Sequence, residues 1–159
     1  MNQEPTSLTL DESTKRLTTP CGSCPWRRTT TPGQLGGSSP VTYLGQVNGA
    51  FWLPCHSFTD YNDPKWRDNT AKPQCAGAAT FRTNIQWQGF GTSAAKILHT
   101  LPANTEIVFA SNEEFLAHHV SIPVTFARLF IKQAGGVGRF VQYELQRQSE
   151  HRRMYKPAP

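Results

Sequence analysis

No stretch of this chain approaches the ~20 consecutive apolar residues that cross a bilayer, so the sequence offers no membrane span. It also lacks a Gly-rich phosphate loop, a Gly-x-Ser-x-Gly elbow and a His-Glu-x-x-His pair. The usual signatures of nucleotide, serine-hydrolase and zinc-hydrolase chemistry are therefore missing, and no catalytic residue is assigned. The opening residues, Met1-Asn2-Gln3-Glu4-Pro5-Thr6-Ser7, carry no apolar leader segment, which makes a reducing cytoplasm the expected compartment. Charge is sparse: 17% of residues are charged and the formal net charge is +5, with a pI of about 9.2. That excess permits contact with nucleic acid or acidic proteins, but it is well short of the dense basic stripe of a strong non-specific DNA binder.

Cysteine is scarce too, and its placement is the most informative feature of the chain. There are four in 159 residues, Cys21, Cys24, Cys55 and Cys75, all in turn-forming sequence of the first half. Four thiolates match the ligand count of a tetrahedral Zn²⁺ site or a 4Fe–4S cluster. In Cys21-Gly22-Ser23-Cys24 the two intervening residues let both sulfurs turn onto one metal, and Gly and Ser suit that turn. Cys55 and Cys75 are not a second close pair, so folding must assemble the other half of the site. A zinc ribbon is thereby less apt, and an iron–sulfur cluster stays open. In spacing alone, the four also resemble the cluster ligands of the bacterial and archaeal iron–sulfur uracil-DNA glycosylases.

Three other readings compete with a metal. Two disulfides suit an oxidising compartment, for which no leader speaks. A thioredoxin-like redox pair needs a strand before Cys21 and a helix after Cys24. Four unrelated buried thiols are the blandest reading, since free Cys is a common core residue. The metal site accounts best for all four together, and a closed Cys₄ shell would be structural rather than catalytic.

Cys21-x-x-Cys24-Pro25-Trp26-Arg27, Cys55-His56 and Cys75-Ala76-Gly77 resemble the motifs of a family of small actinobacterial and bacteriophage proteins, a domain of unknown function. The likeness continues into Phe109-Ala110-Ser111-Asn112-Glu113-Glu114-Phe115 and His118-His119, and so spans roughly residues 19–133. It implies that the four cysteines act together with His56 close by, and it suggests a phage or mobile-element setting. It implies no activity. The turn-rich insert between Cys55 and Cys75 and the basic tail depart from the family pattern. His56 has three readings: donor to a cysteine sulfur, replacement ligand in a Cys₃His site, or ordinary turn histidine. A Cys55–His56 nucleophile pair is disfavoured because sequence neighbours seldom reach dyad geometry.

With 12 Gly and 12 Pro and a mean hydropathy of −0.50, the chain reads as a loop-rich, single α+β domain organised by a Cys₄ site. Residues 1–18 are expected to be a flexible N-terminal segment, 19–136 the metal-organised globular domain, and 137–159 a basic, partly flexible extension. Val41 to Leu53 suggests one or two short strands around the hairpin signal Asn48-Gly49. Pro54 to Pro73 reads as an irregular insert. Residues 76–101 read as two helical segments broken near Gly89-Phe90-Gly91, and 105–109 as a strand.

Ser111 with Glu114 forms a capping box that should start a helix running to about His119. Pro123 then suits a first helical position, and Phe126, Leu129 and Phe130 follow at helical spacing, expected to face the core. Gly135-Gly136 should stop that helix. The pair reads as a C-terminal helical hairpin, with a DNA-reading helix-turn-helix displaying Thr125, Arg128 and Lys132 as the lesser alternative. Glu114 with His118 is a weak candidate for a second metal site.

Beyond the hairpin, Val141, Tyr143 and Leu145 alternate as in a strand, and the residues after Ser149 look unpaired. The candidates for nucleic-acid contact are Arg27 and Arg28 beside the metal loop and Arg147, Arg152, Arg153 and Lys156 in the tail. The expected protein is a small metal-binding accessory or regulatory factor, holding Zn²⁺ and acting on nucleic acid or a host protein. The alternatives are a redox-responsive 4Fe–4S protein and an enzyme acting on nucleic acid.

Overall fold

The computed structural model describes residues 10–11, 16–60, 62–65, 73–87 and 100–154. Five α-helices carry the architecture: α1 (Pro40–Asn48), α2 (Ala76–Asn84), α3 (Asn112–Val120), α4 (Val124–Gln133) and α5 (Val137–Met154). Among the described residues the one ladder pairs β1 (Leu10–Asp11) with β2 (Arg16–Leu17), two residues each, antiparallel. A ladder that short is no layer, and the expectation of an α+β domain is corrected: the fold is helical.

The helix α1 replaces the expected hairpin. Ser39 caps it by accepting the Thr42 N–H, Pro40 takes the first position, and the Gly49 N–H closes back on Gly45. Val41, Leu44 and Val47 recur every third residue and are buried, so helical periodicity prevails over the Asn-Gly signal. The strand expected at 105–109 is also absent. Those residues turn, and only Val108 pairs, in an isolated bridge to Arg27.

The capping box is present with one change of partner. Ser111 Oγ accepts the Glu114 N–H at 3.2 Å, but the Glu114 carboxylate reaches back to the Ala110 N–H at 2.8 Å. Ser121, left-handed at φ 57°, ends α3, and Gly135 and Gly136, at φ 86° and 115°, end α4. The tail is helical rather than extended. Val137, Val141 and Leu145 recur every fourth residue, and α5 lays Phe140 and Val141 into the core. It packs against α1 and α4, while α3 packs against α1 and α4. The described part of the region after Ser149 stays helical to Met154.

The core is centred on Trp26, 1% exposed. Its indole stacks on Phe115 at 4.5 Å and meets Phe81 at 4.7 Å and Tyr43 at 5.8 Å. One aromatic thus ties the first cysteine loop to α1, α2 and α3. Phe126, Leu129 and Phe130 do not join this core. Only Ala127 and Ile131 of α4 are buried, because small Ala127 lets the helix approach its neighbours along a single narrow stripe. Among the described residues no helix is long and apolar enough to cross a membrane. The second helical segment expected before residue 101, the possible cap at Thr92 or Ser93, residues 1–9 and Lys156 lie outside the described residues.

Candidate metal centre

The first cysteine loop is two successive tight turns. The Cys24 N–H donates to the Cys21 carbonyl and the Arg27 N–H to the Cys24 carbonyl. Arg27 steadies this loop from its side chain, whose Nη1 donates to the Pro20 and Cys21 carbonyls. The other two cysteines come together through backbone pairing of distant segments. The Cys55 N–H donates to the Pro73 carbonyl at 2.9 Å and the Cys75 N–H to the Leu53 carbonyl at 2.8 Å. Cys55 then leads into a short 3₁₀ turn, His56–Phe58, and Cys75 stands at the N-terminus of α2.

All four cysteines are buried free thiols. Cys21, Cys55 and His56 bring their ligand atoms within 4.8 Å of one another, close enough to hold a metal ion. Cys24 and Cys75 form a second pair, Sγ to Sγ 3.7 Å, joined to the first by the contact of Cys21 with Cys24. At that distance the two sulfurs are well outside the ~2.05 Å of a disulfide. No helix follows Cys24 before α1, so the thioredoxin-like arrangement is missing its helix. His56 lies at the rim, half-buried, with both ring nitrogens 3.9 Å from Cys21 Sγ and Nε2 hydrogen-bonded to Ser23 Oγ at 2.9 Å.

The thiols divide their protons unevenly. Hydrogen bonding from Cys24 holds Cys21 well below the ordinary thiol range and lowers Cys75. Burial pushes Cys24 up, and donation to Cys21 pushes up Cys55. Contact with Cys21 raises the His56 imidazole. Neighbouring sulfurs cannot all ionise without a cation between them, because like charges disfavour one another. A bound metal ion removes that conflict and deprotonates coordinating thiols outright.

Two further residues shape the centre, Gly77 of the Cys75-Ala76-Gly77 motif and Arg82, which no sequence motif marks. Gly77, on the first turn of α2, faces the cysteine loop so closely that a Cβ there would lie 2.2 Å from Cys24 Sγ. The glycine of the Cys75-Ala76-Gly77 motif is therefore a space requirement of the sulfur, a signal present in the sequence but readable only with Cys24 opposite. Arg82, one face further along α2, is fully buried. It donates to the carbonyls of Val47 (3.0 Å) and Phe51 (2.8 Å) and lies over Trp87 at 5.1 Å. Burial lowers it to about 10, with the Cys75 sulfur acting in the opposite direction.

The candidate second metal site is not assembled. Glu114 is engaged by Arg28 at 2.6 Å. His118 Nε2 donates to the Thr30 carbonyl at 2.7 Å. His119 uses both nitrogens on backbone: Nδ1 accepts the Gly33 N–H at 3.1 Å and Nε2 donates to the Pro25 carbonyl at 2.9 Å. These histidines are clasps between α3 and the cysteine loop. Burial holds His119 below the ordinary imidazole value.

The basic candidates are scattered. Arg27 is occupied within the loop, Arg28 bonds the Thr105 carbonyl and Glu114, and Arg147 pairs with Glu144 at 2.8 Å on α5. Arg152 and Arg153 are exposed near the end of α5. Arg152 also reaches a cavity of about 620 Å³ beside the thiols, whose wall includes Tyr43, Trp52, His56 and Cys75.

Searches against family models, curated proteins and solved structures find no match to this chain.

Proposed function

We propose that the four cysteines hold one structural Zn²⁺ and that the resulting module is an accessory protein that works by binding a macromolecular partner. The observation that carries the metal assignment is the 3.7 Å separation of the Cys24 and Cys75 sulfurs. Four thiolates at ~2.3 Å from a tetrahedral zinc stand about 3.8 Å apart. In a 4Fe–4S cluster each thiolate caps a different iron and points away from the core, so ligand sulfurs are kept out of mutual contact. The zinc reading is therefore preferred to the redox-responsive cluster.

The chemistry that zinc supplies here is order. A shell closed by Cys21, Cys24, Cys55 and Cys75 leaves no open coordination position, which favours a structural role. His56 then acts on the Cys21 sulfur from outside, as a donor that fixes its orientation. For the partner, the support lies in what the cations are doing. Arg27 and Arg28 hold loop carbonyls and Glu114, which weakens the case for a phosphate-binding surface beside the metal. A protein partner in the host is preferred, with nucleic acid as the second class.

Elemental analysis with an absorbance spectrum on protein purified without oxygen tests the metal. A colourless sample with about one zinc per chain supports the reading. Iron with a broad band near ~400 nm would replace it with the cluster. Removing residues 150–159 and titrating duplex DNA at two salt concentrations tests the tail. A steep salt slope lost on truncation would return nucleic acid to first place.

A further inference from the structure

The helix α4 packs on α3 and α5 through Ala127 and Ile131, and its opposite face is open. Phe126, Leu129 and Phe130 are 52%, 44% and 45% exposed, an i, i+3, i+4 set that covers an arc of about 100° at 100° per residue. From Phe130 the apolar surface continues into a groove of about 850 Å³ between the end of α3, α4 and α5, where Val120, Ile122, Phe140 and Tyr143 line its walls. Apolar surface gathered this way on one side of a small protein marks an interaction site rather than the scattered exposure every surface shows.

The charge around it selects the occupant. Arg128 and Lys132, exposed one turn apart, run along one edge of the strip. Arg139 lines the groove itself. The helix α4 contains no acidic residue, and the nearest carboxylate in the groove, Glu144, is paired with Arg147. A second copy of the same face would bring these cations against one another, so self-association is disfavoured. An apolar stripe with a basic edge and an arginine in its groove fits a helix of the opposite pattern, laid into the groove by its apolar face.

We infer that the groove between α3, α4 and α5, with its Phe126–Leu129–Phe130 lip, docks an acidic amphipathic helix of a partner protein. The inference deepens the binding role proposed above by naming the partner's chemistry, but it does not depend on which metal the thiols hold. Phe130 and Leu129 are the anchors, and Arg128, Lys132 and Arg139 orient the incoming helix.

The test is fluorescence anisotropy of a labelled synthetic helical peptide titrated with the full-length, metal-loaded chain. The peptide carries leucines at i, i+3, i+4 and i+7 with glutamates on both flanks, and a control peptide replaces each glutamate with lysine. Saturable binding of the glutamate peptide is expected, weakened at least about tenfold in Phe130→Ser and in Leu129→Ser and weakened by added salt. The lysine peptide is expected to bind at least about tenfold more weakly. Both substitutions lie at exposed positions, and each variant should keep the metal content and helix signal of the parent. No saturable binding, equal binding of the two peptides, or unchanged affinity in both variants overturns the inference. So does binding of phosphatidylserine vesicles or of a DNA duplex through Phe130 and Leu129 without binding of the glutamate peptide. Metal analysis of the same samples keeps the two readings apart, since a chain without zinc that still binds the peptide overturns only the metal assignment.

Discussion

The cysteine-bearing region and the three C-terminal helices obtain their order by opposite routes. Between Cys21 and Trp87 the described residues form α1, α2 and the turns around the thiols, and what gathers them is long-range. The thiols, the Leu53–Cys75 backbone pairing and the buried Arg82 connect residues far apart in sequence. From Ser111 to Gly136 the helices α3 and α4 are bounded by their own neighbours: a serine cap, a left-handed Ser121, a glycine pair. The first region depends on long-range closure and the second on short-range rules. His118, His119 and the Arg28–Glu114 pair join the two.

The sharpest way to separate the regions is to break the proposed metal site. Cys24→Ser should abolish metal binding and unfold residues around the cysteine loop, since binding and folding are coupled at such sites. Part of the helical signal from α3 to α5 should survive. Melting with metal analysis reads the outcome, and a variant that melts like the parent with full metal content refutes the tetrathiolate site. Gly77→Ala comes next. The added methyl must displace Cys24 Sγ from 2.2 Å, costing about 3 kcal/mol, the upper end for overpacking, with weakened metal retention. Denaturant titration measures it, and an unchanged midpoint would mean that α2 slides away freely.

At the junction, His119→Ala leaves the Gly33 N–H and the Pro25 carbonyl without their imidazole partner, and should cost about 2 kcal/mol. The same residue predicts a pH dependence. Burial holds His119 below the ordinary value of 6.5, so on acidification the unfolded chain takes up this proton first. Its contribution is complete above about 6.5 and is lost as pH falls through the folded-state value. The difference in stability between parent and His119→Ala should therefore narrow between pH 7 and pH 5, and a constant difference would show that the imidazole does not titrate on unfolding. The smallest effect belongs to Arg28→Ala. That pair is about one-third exposed, so its loss should cost no more than about 1 kcal/mol, and a larger cost would mean that the regions depend on each other more than their separate construction implies.

The same contrast explains what the sequence made legible. The box Ser111–Glu114 and the stop at Gly135-Gly136 are local rules and could be read directly. The cysteines announced a shared site by count, but the pairing of Leu53–Cys55 with 73–75 that gathers them depends on no nearby residue. Asn48-Gly49 suggests a hairpin when read alone, but Ser39 before Pro40 and the three-residue recurrence of Val41, Leu44 and Val47 fix a helix upstream of it. In α5 the alternation of Val141, Tyr143 and Leu145 coexisted with the four-residue recurrence of Val137, Val141 and Leu145, and packing on α1 favoured the latter. Phe126, Leu129 and Phe130 looked like core because helical spacing shows which residues share a face, not whether anything lies opposite.

The two bonds of His119 also set an order of events during synthesis. The Cys21–Cys24 loop leaves the ribosome first, yet the imidazole that clasps Pro25 follows 94 residues later and the Cys75 sulfur follows Cys24 by 51. A chain growing at about 5–20 residues per second therefore exposes two thiols for several seconds before their partners exist. During that interval Cys21 and Cys24 stand without the Cys75 sulfur that meets Cys24 and the His119 imidazole that clasps Pro25 in the folded chain.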